Sequence, residues 1–363
     1  MKPFVLRRLK HNVLKDLSRK VSHTILLPMN DTFHKTYTEV LQRAKNAKDE
    51  KKAKHLKNKK SKLGIDDNSS NNRTQTKAEA AAAQKKRIDP KNLYTELRKA
   101  ANHPLLLLRK FEPHIEDIIQ EAYKLNTFGG CKLATVRKHL ESAQHGNDFR
   151  IHQFCKDNAD SSPLFKSLEL SQDDLYQSPK FCWLRDNLPK MHADGHRVLL
   201  FSQWTTLLDL VEIFLNDMGE EATTMRLDGQ TNVDDRQDMI DEFNAVGSPY
   251  KTFILSTRAG GMGINLTSAD TVILHDLDPN PTHDKQAEDR AHRIGQTKEV
   301  TVYRLVMEGT VDQHILEKSQ AKDDLNMSVL QDSVPDPFAD AGKVTGGGSM
   351  SSLIERALEQ HGM

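Results

Sequence analysis

The chain has 363 residues, room for about two ordinary domains at roughly 150 residues each. Lys and Arg total 52 against 51 Asp and Glu, so the mean charge points to no particular partner. No apolar run approaches membrane-spanning length, and the opening Met1-Lys2-Pro3-Phe4-Val5-Leu6-Arg7-Arg8 carries no apolar signal stretch. Cys131, Cys155 and Cys182 are too scattered for a disulfide framework or a zinc pattern, and the chain reads as intracellular and reduced. The mean charge conceals an asymmetry. Residues 43–87 hold 15 basic and 5 acidic side chains, leaving the remainder mildly acidic, a distribution that suggests a polyanionic partner.

In chain order, residues 1–41 read as helical, with Val5, Leu6, Leu9, Val13, Leu14 and Leu17 near helical spacing. The Lys- and Asn-rich stretch that follows has too little apolar content to fold alone. Helical sequence resumes near Leu93–Leu108 and continues irregularly to about Leu175, with no sharp boundaries after Glu112. From about Lys180 strands and helices alternate. The expected strands are Arg197–Phe201, Met225–Leu227, Thr252–Leu255, Thr271–His275 and Val300–Val306. Between them come helices over about 205–218 (Leu207, Leu208, Val211, Phe214 and Leu215 on one face), from Thr231 to Asn244 and from Thr282 to Arg293. Such alternation predicts parallel βαβ units with right-handed crossovers. Thr310 and Gln313 form a capping box for a last long helix to about Leu330. A Gly/Pro/Asp-rich tail follows, with a short helical signal at Leu353–Leu358.

Two segments carry possible chemistry. Ser256-Thr257-Arg258-Ala259-Gly260-Gly261-Met262-Gly263-Ile264-Asn265-Leu266 is a Gly-rich loop directly after a strand. Loops at the carboxyl ends of parallel strands are where ligands bind, and glycines let backbone N–H groups approach phosphates; a merely tight turn reads the same way. In Gln286-Ala287-Glu288-Asp289-Arg290-Ala291-His292-Arg293-Ile294-Gly295-Gln296, Gln286, Arg290 and Arg293 fall at i, i+4 and i+7 of a helix. One face then presents an amide and two guanidiniums, fit to stabilise phosphoryl-transfer charge or, more plainly, to pair with Glu288 and Asp289. No G-x-x-x-x-G-K-[ST] cradle occurs, and Gly342-Lys343 is followed by Val344. Asp241-Glu242 lies on an amphipathic helix rather than at a strand end. Half a nucleotide site is all this sequence supplies.

Taken together these residues resemble the C-terminal helicase lobe of SWI/SNF-type chromatin-remodelling ATPases, of helicase superfamily two. Lys2–Lys10 looks like the family's P-F-x-L-R-R-x-K segment, and Leu97-Arg98-Lys99-Ala100-Ala101-Asn102-His103-Pro104-Leu105 like its L-R-K-x-x-N-H-P-x-L element. Arg197–Trp204 resembles motif IV, Arg226–Thr231 the next block, Ser256–Leu266 motif V and Gln286–Gln296 motif VI. His275-Asp276-Leu277-Asp278-Pro279-Asn280-Pro281 narrows the likeness to the DEAD/H-box-containing (Etl-type) subfamily. Most relatives outside that subfamily carry Trp where Pro279 stands, and proline offers no equivalent stacking surface for DNA.

The resemblance implies an α/β fold: a RecA-like parallel-sheet lobe over 176–309, with a helical protrusion over 1–110, a Lys-rich insertion at 44–90 and further protrusion helices over 111–175. A brace helix over 310–333 and a tail over 334–363 complete it. The implied activity is DNA-stimulated ATP hydrolysis coupled to translocation on duplex DNA and movement of nucleosomal histones. ATP and Mg²⁺ would be held mainly by a first RecA-like lobe that this chain does not contain. On that reading Arg290 and Arg293 are arginine fingers, Gln286 supports the nucleotide contact, and Gly261, Gly263 and Asn265 line the cleft. Ser202, Gln203, Ser256 and Thr257 would hold DNA phosphates, positioning the duplex without reading its sequence. Double-stranded DNA, nucleosomes and the first lobe are the expected partners, with no membrane, no resident metal and a nuclear location. The alternative is a truncated, non-catalytic DNA- or histone-binding module; a strand-separating helicase is the weaker third reading.

Overall fold

Val198–Ser202, Thr252–Ser256 and Thr271–Leu274 are buried at every position, so these aliphatic and β-branched runs form the centre of a sheet covered on both faces. The computed structural model describes residues 17–43, 45–46, 90–142, 146–168, 170–176, 178–219, 223–260, 263–331, 356–359 and 361–362. Strand β1 (Lys20–Leu27) is followed by helix α1 over 31–43, then α2 (Pro90–Asn102), α3 (Ile115–Lys124), α4 (Leu133–Leu140), α5 (Asp148–Asp157) and α6 (Pro179–Ala193). Next come β2 (Val198–Ser202), α7 (Thr205–Asp217), β3 (Thr224–Leu227), α8 (Val233–Asn244), β4 (Thr252–Ser256) and β5 (Thr271–Leu274). The chain continues through α9 (Pro281–Ala291), β6 (Val300–Met307) and α10 (Val311–Gln331). The strand order is β1-β6-β5-β2-β4-β3, with all neighbours parallel.

Side-chain alternation explains the layers. Leu199, Phe201, Phe253, Leu255, Val272 and Leu274 face one core with Tyr37 and Leu97, while Val198, Leu200, Ile254 and Ile273 face the other with Leu207, Val211 and Phe214. A third, smaller core unites the region whose boundaries were open in the sequence. There Ile118, Ile119, Val136, Leu140, Ile151 and Phe165 pack between α3, α4, α5 and the short helix Pro163–Ser167.

One expectation fails. Residues 1–41 do not read through as helix, because Lys20–Leu27 is a strand paired with β6 from Lys20↔Val300 to Leu27↔Met307. Its β-branched Val21, Thr24 and Ile25 suit the extended state, and its partner lies far away in sequence, beyond the reach of local periodicity. Residues 1–16, the span 47–89 of the Lys-rich insertion and most of the tail lie outside the described residues. Within the tail, a helical turn at 356–359 places Ala357 and Leu358 in the first core.

The start of α8 also differs from the expectation. Asn232 is its N-cap without a side-chain bond, and the Thr231 hydroxyl instead accepts from the Asp228 N–H at 3.0 Å. At α10 the Thr310 hydroxyl accepts from Asp312 N at 3.2 Å, and the Gln313 side chain accepts from Gly309 N at 3.0 Å, one residue before the usual box partner.

A buried ion pair joins the layers. The Lys180 ammonium is fully buried and donates to Asp312 at 2.6 Å, Asn102 Oδ1 at 2.9 Å and the His275 carbonyl at 2.8 Å. It thereby ties α6 to α2, to the end of β5 and to the first turn of α10. Next to it, His103 is wedged edge-on against Phe181, its Nε2 donating to the Leu175 carbonyl at 2.8 Å and its Nδ1 accepting from Leu105 N at 3.1 Å. Burial holds this imidazole neutral, with its pKa down at about 4.

Candidate functional site

Helix α9 begins where Asn280 caps Thr282 N at 3.3 Å and Pro281 occupies the first turn, both favourable there. Ala287 and Ala291 turn into the core, which leaves Gln286, Arg290 and Arg293 on the side facing the Gly-rich segment. These three, with Gly263, Asp289, His292, Ile294 and Leu17, line one cleft of about 310 Å³. Arg293 donates to the Gly263 carbonyl at 3.0 Å and Arg290 to the Ile264 carbonyl at 3.4 Å, so each guanidinium is tethered to the same loop. Gly263 has φ +76°, a conformation that favours glycine.

The cleft's electrostatics invite an anion. Burial first, and then the Arg293 guanidinium, lower the Arg290 pKa against a smaller opposing pull from Asp289. Arginine still stays charged in proteins, so the two neighbouring cations hold positive potential at the cleft mouth. Among the described residues no group of three or more His, Cys, Asp or Glu side chains could hold a metal ion. No helix among them is long and apolar enough to cross a membrane.

The location corrects one expectation. Ligand loops were expected at the carboxyl ends of the strands, but this cleft lies near the amino ends. Leu266 N donates to the Arg290 carbonyl shortly before β5 begins, and His292 contacts Ser18 just ahead of β1. Thr257–Gly260 follows the carboxyl end of β4, whereas Gly263 and Ile264 of the same Gly-rich segment meet the arginines. Asn265 is exposed and is not among the cleft-lining residues; its carbonyl accepts from the Asn244 side chain at 2.8 Å. Gly261 lies outside the described residues.

The four proposed DNA-phosphate residues gather at the opposite edge. Register pairs Ser202 with Ser256, and Gln203 and Thr257 follow them at the carboxyl ends of β2 and β4. Their hydroxyls are less available than the sequence suggested. Ser202 is fully buried, donates to the Asp276 carboxylate and accepts from Trp204 N at 3.1 Å, while Ser256 accepts from Ala259 N at 3.2 Å. Asp276 also accepts from Gln203 N at 3.1 Å, so it fixes the turn after β2 from the neighbouring strand. Arg98 and Lys99 of α2 lie over the Trp204 ring at 5.5 and 5.8 Å, and Arg98 donates to the Leu277 carbonyl at 3.0 Å. The sequence reading treated the α2 element and the β2 turn separately. Their contact depends on tertiary packing and left no local signal. The reading also missed Asp276 and the cleft wall at Leu17.

Residues 179–295 match the helicase conserved C-terminal domain family. Protein CHROMATIN REMODELING 19 of Arabidopsis thaliana is 40% identical over 357 residues, 97% of this chain and 43% of that protein. The chain carries a helicase C-terminal domain and is a homologue of SWI/SNF-related chromatin remodellers. The Drosophila melanogaster homologue of the SWI/SNF-related regulator of chromatin containing DEAD/H box 1 is 36% identical over 89% of this chain and 33% of its own length. ATP-dependent helicase fft2 of Schizosaccharomyces pombe is 36% identical over 92% of this chain and 24% of its own length. The crystal structure of the C-terminal part of the Fun30 ATPase domain superposes with TM-score 0.66 at 28% identity, covering 88% of this chain and all of that one. The sheet is therefore a RecA-like helicase C-terminal lobe. This lobe spans less than half the length of each of these curated relatives.

Proposed function

We propose that this chain is the second motor lobe of an ATP-dependent chromatin remodeller. The observation that carries the reading is the pair Arg290 and Arg293, set side by side on one cleft and tethered to one glycine-bearing loop. A first lobe, absent here, would hold most of the ATP and its Mg²⁺. The two guanidiniums would enter from this side and meet the charge that develops on the transferring phosphoryl group. Such fingers can be worth about 10³–10⁵ in rate. Gln286, exposed on the same face, would steady the nucleotide.

DNA would cross the opposite edge of the lobe, where Gln203 and Thr257 follow the ends of β2 and β4 and Arg98 and Lys99 lie nearby. With ATP and DNA on opposite edges, a change in lobe closure at one edge would displace the track at the other. Duplex DNA and nucleosomal histones are then the substrates, and the nucleus is the place of work. The names of the homologues support this reading for complete proteins.

The test is DNA-stimulated ATP hydrolysis by this chain alone and mixed with a separately purified first lobe. Activity is expected only in the mixture, falling by orders of magnitude with Arg290→Ala or Arg293→Ala. Near-normal turnover in both variants would refute the finger assignment. A folded chain inactive under both conditions would favour a non-catalytic binding module.

A further inference from the structure

The short segment that leads into the sheet is part of the arginine cleft. Leu17 lines the cleft beside Gly263, Gln286, Arg290 and Arg293. One residue on, the Ser18 carbonyl accepts from His292 Nε2 at 2.8 Å, which places the ring proton on that nitrogen because a carbonyl can only accept. Lys20, the first residue of β1, donates to Glu288 at 2.6 Å, and Arg304 of β6 pairs with the other oxygen of the same carboxylate. Glu288 is 1% exposed, so neither partner is exchanged for water without loss. Two polar contacts, from Ser18 and Lys20, thus join this segment to the cap of α9 and to its penultimate turn.

Position within α9 gives these contacts their consequence. His292 is the residue that ends the helix, its N–H accepted by the Glu288 carbonyl. Arg290 precedes this cap within the helix, and Arg293 follows it outside. The angle between the two guanidiniums is therefore set at His292, whose side chain is anchored on the Ser18 carbonyl. Glu288 fixes the roll of the helix one turn earlier. Gly263 and Ile264, the other tethers of the arginines, sit in a loop without regular secondary structure. Lys20, the first residue of β1, refers this end of α9 to the strand edge through Glu288, two residues on from the Ser18 carbonyl that holds His292.

We propose that Leu17–Lys20 acts as a strap that positions Arg290 and Arg293 for phosphoryl transfer, with His292 and Glu288 as positioning residues. The inference rests on the finger reading above. It adds that the lead-in segment determines how well the fingers work, through backbone and ionic contacts that never touch the nucleotide.

The experiment uses the protein carrying both lobes, with steady-state ATP hydrolysis at saturating DNA, together with amide hydrogen exchange on this chain. His292→Ala is expected to lower kcat by about 10- to 100-fold, the scale of a misplaced catalytic group, with KM for ATP changed much less. His292→Gln keeps an amide donor at nearly the reach of Nε2 and is expected to restore most of the rate. Lys20→Ala is expected to give a smaller fall in kcat. Both alanine variants should speed exchange at residues 286–293 and leave the central strands unchanged.

Wild-type kcat in His292→Ala and Lys20→Ala, alongside Arg290→Ala that is dead, would overturn the strap and leave the fingers standing. Harmless Arg290→Ala and Arg293→Ala would overturn the finger reading itself and the strap with it. Should His292→Ala unfold the lobe, Lys20→Ala decides alone: its side chain is 30% exposed, and unchanged kcat and exchange would refute the strap.

Discussion

Replacing Lys180 with methionine keeps most of the apolar stem, one atom shorter, and removes the charge and the donors. The wild-type ammonium is fully buried, and its three partners come from three other elements. In Lys180→Met the Asp312 carboxylate, 2% exposed, loses its counter-ion, and Asn102 Oδ1 and the His275 carbonyl lose a donor. Breaking one side of a buried pair typically costs about 3–5 kcal/mol, because the surviving charge stays desolvated. At roughly 2–4 °C per kcal/mol for a domain of this size, the melting temperature should fall by about 6–20 °C. The double variant Lys180→Met/Asp312→Leu removes the orphaned charge and should be more stable than the single variant by on the order of 2 kcal/mol. It will not reach wild type if the Asn102 and His275 acceptors remain unpaired, at about 1–3 kcal/mol each. Urea melts of this chain followed by circular dichroism give the three free energies by linear extrapolation. A single-variant loss below about 1 kcal/mol, or a double variant weaker than the single, would refute the view that this ion pair locks the layers together.

Two buried groups should give stability opposite dependences on pH. His103, held neutral down to about 4, contributes stability that is present above the unfolded value near 6.5 and lost as the pH falls toward 4. Asp284 runs the other way, since burial, against the Asp278 N–H and aided by Asp276, Asp278 and Glu288, raises its pKa to about 8. Its contribution is present below about 3.8 and disappears as the pH climbs toward 8, so Asp284→Asn should gain on wild type across that window, by about 1.4 kcal/mol for each unit of pKa difference removed. Urea melts at intervals from pH 4 to 8 check both; stability curves of Asp284→Asn and wild type that stay parallel would count against the assignment. In the small helical core, the Asn147 side chain caps α5 by accepting from Arg150 N at 2.9 Å. Asn147→Ala should therefore cost about 1 kcal/mol in a thermal melt, and no loss would mean the cap is replaced by water.

The sheet was legible because its central strands are short, apolar and separated by helices of clear 3.6-residue period. Val198, Thr252, Thr271 and Val300 all lie within a residue of the starts expected for their strands. Gln286 and Arg290 were legible for the same reason, since their i, i+4 spacing survives whatever the helix packs against, whereas Arg293 lies beyond the cap at His292 and reaches the cleft from outside the helix. β1 was not, because nothing in Lys20–Leu27 reveals that its partner is Val300–Met307. The burial of the Ser202 hydroxyl escaped as well. A serine at a strand end looks available to a phosphate until Asp276, just past the end of the adjacent strand β5, is seen to take it.

The amino-acid sequence by itself determined the alternating α/β class, the helicase-type motifs and which residues carry the cations on and just after α9. Those are properties of local spacing and side-chain chemistry, which act over a few residues. Tertiary structure alone decided that the arginine cleft lies at the amino edge of the sheet and the Ser202–Ser256 cluster at the carboxyl edge. It also decided that Lys180 is a buried joint among four elements and that Ser18 and Lys20 contact the C-terminal end of α9 and its cap. Each of these depends on side chains tens to hundreds of positions apart meeting across a packed core, where desolvation makes one polar contact decisive. Local periodicity carries no record of such meetings.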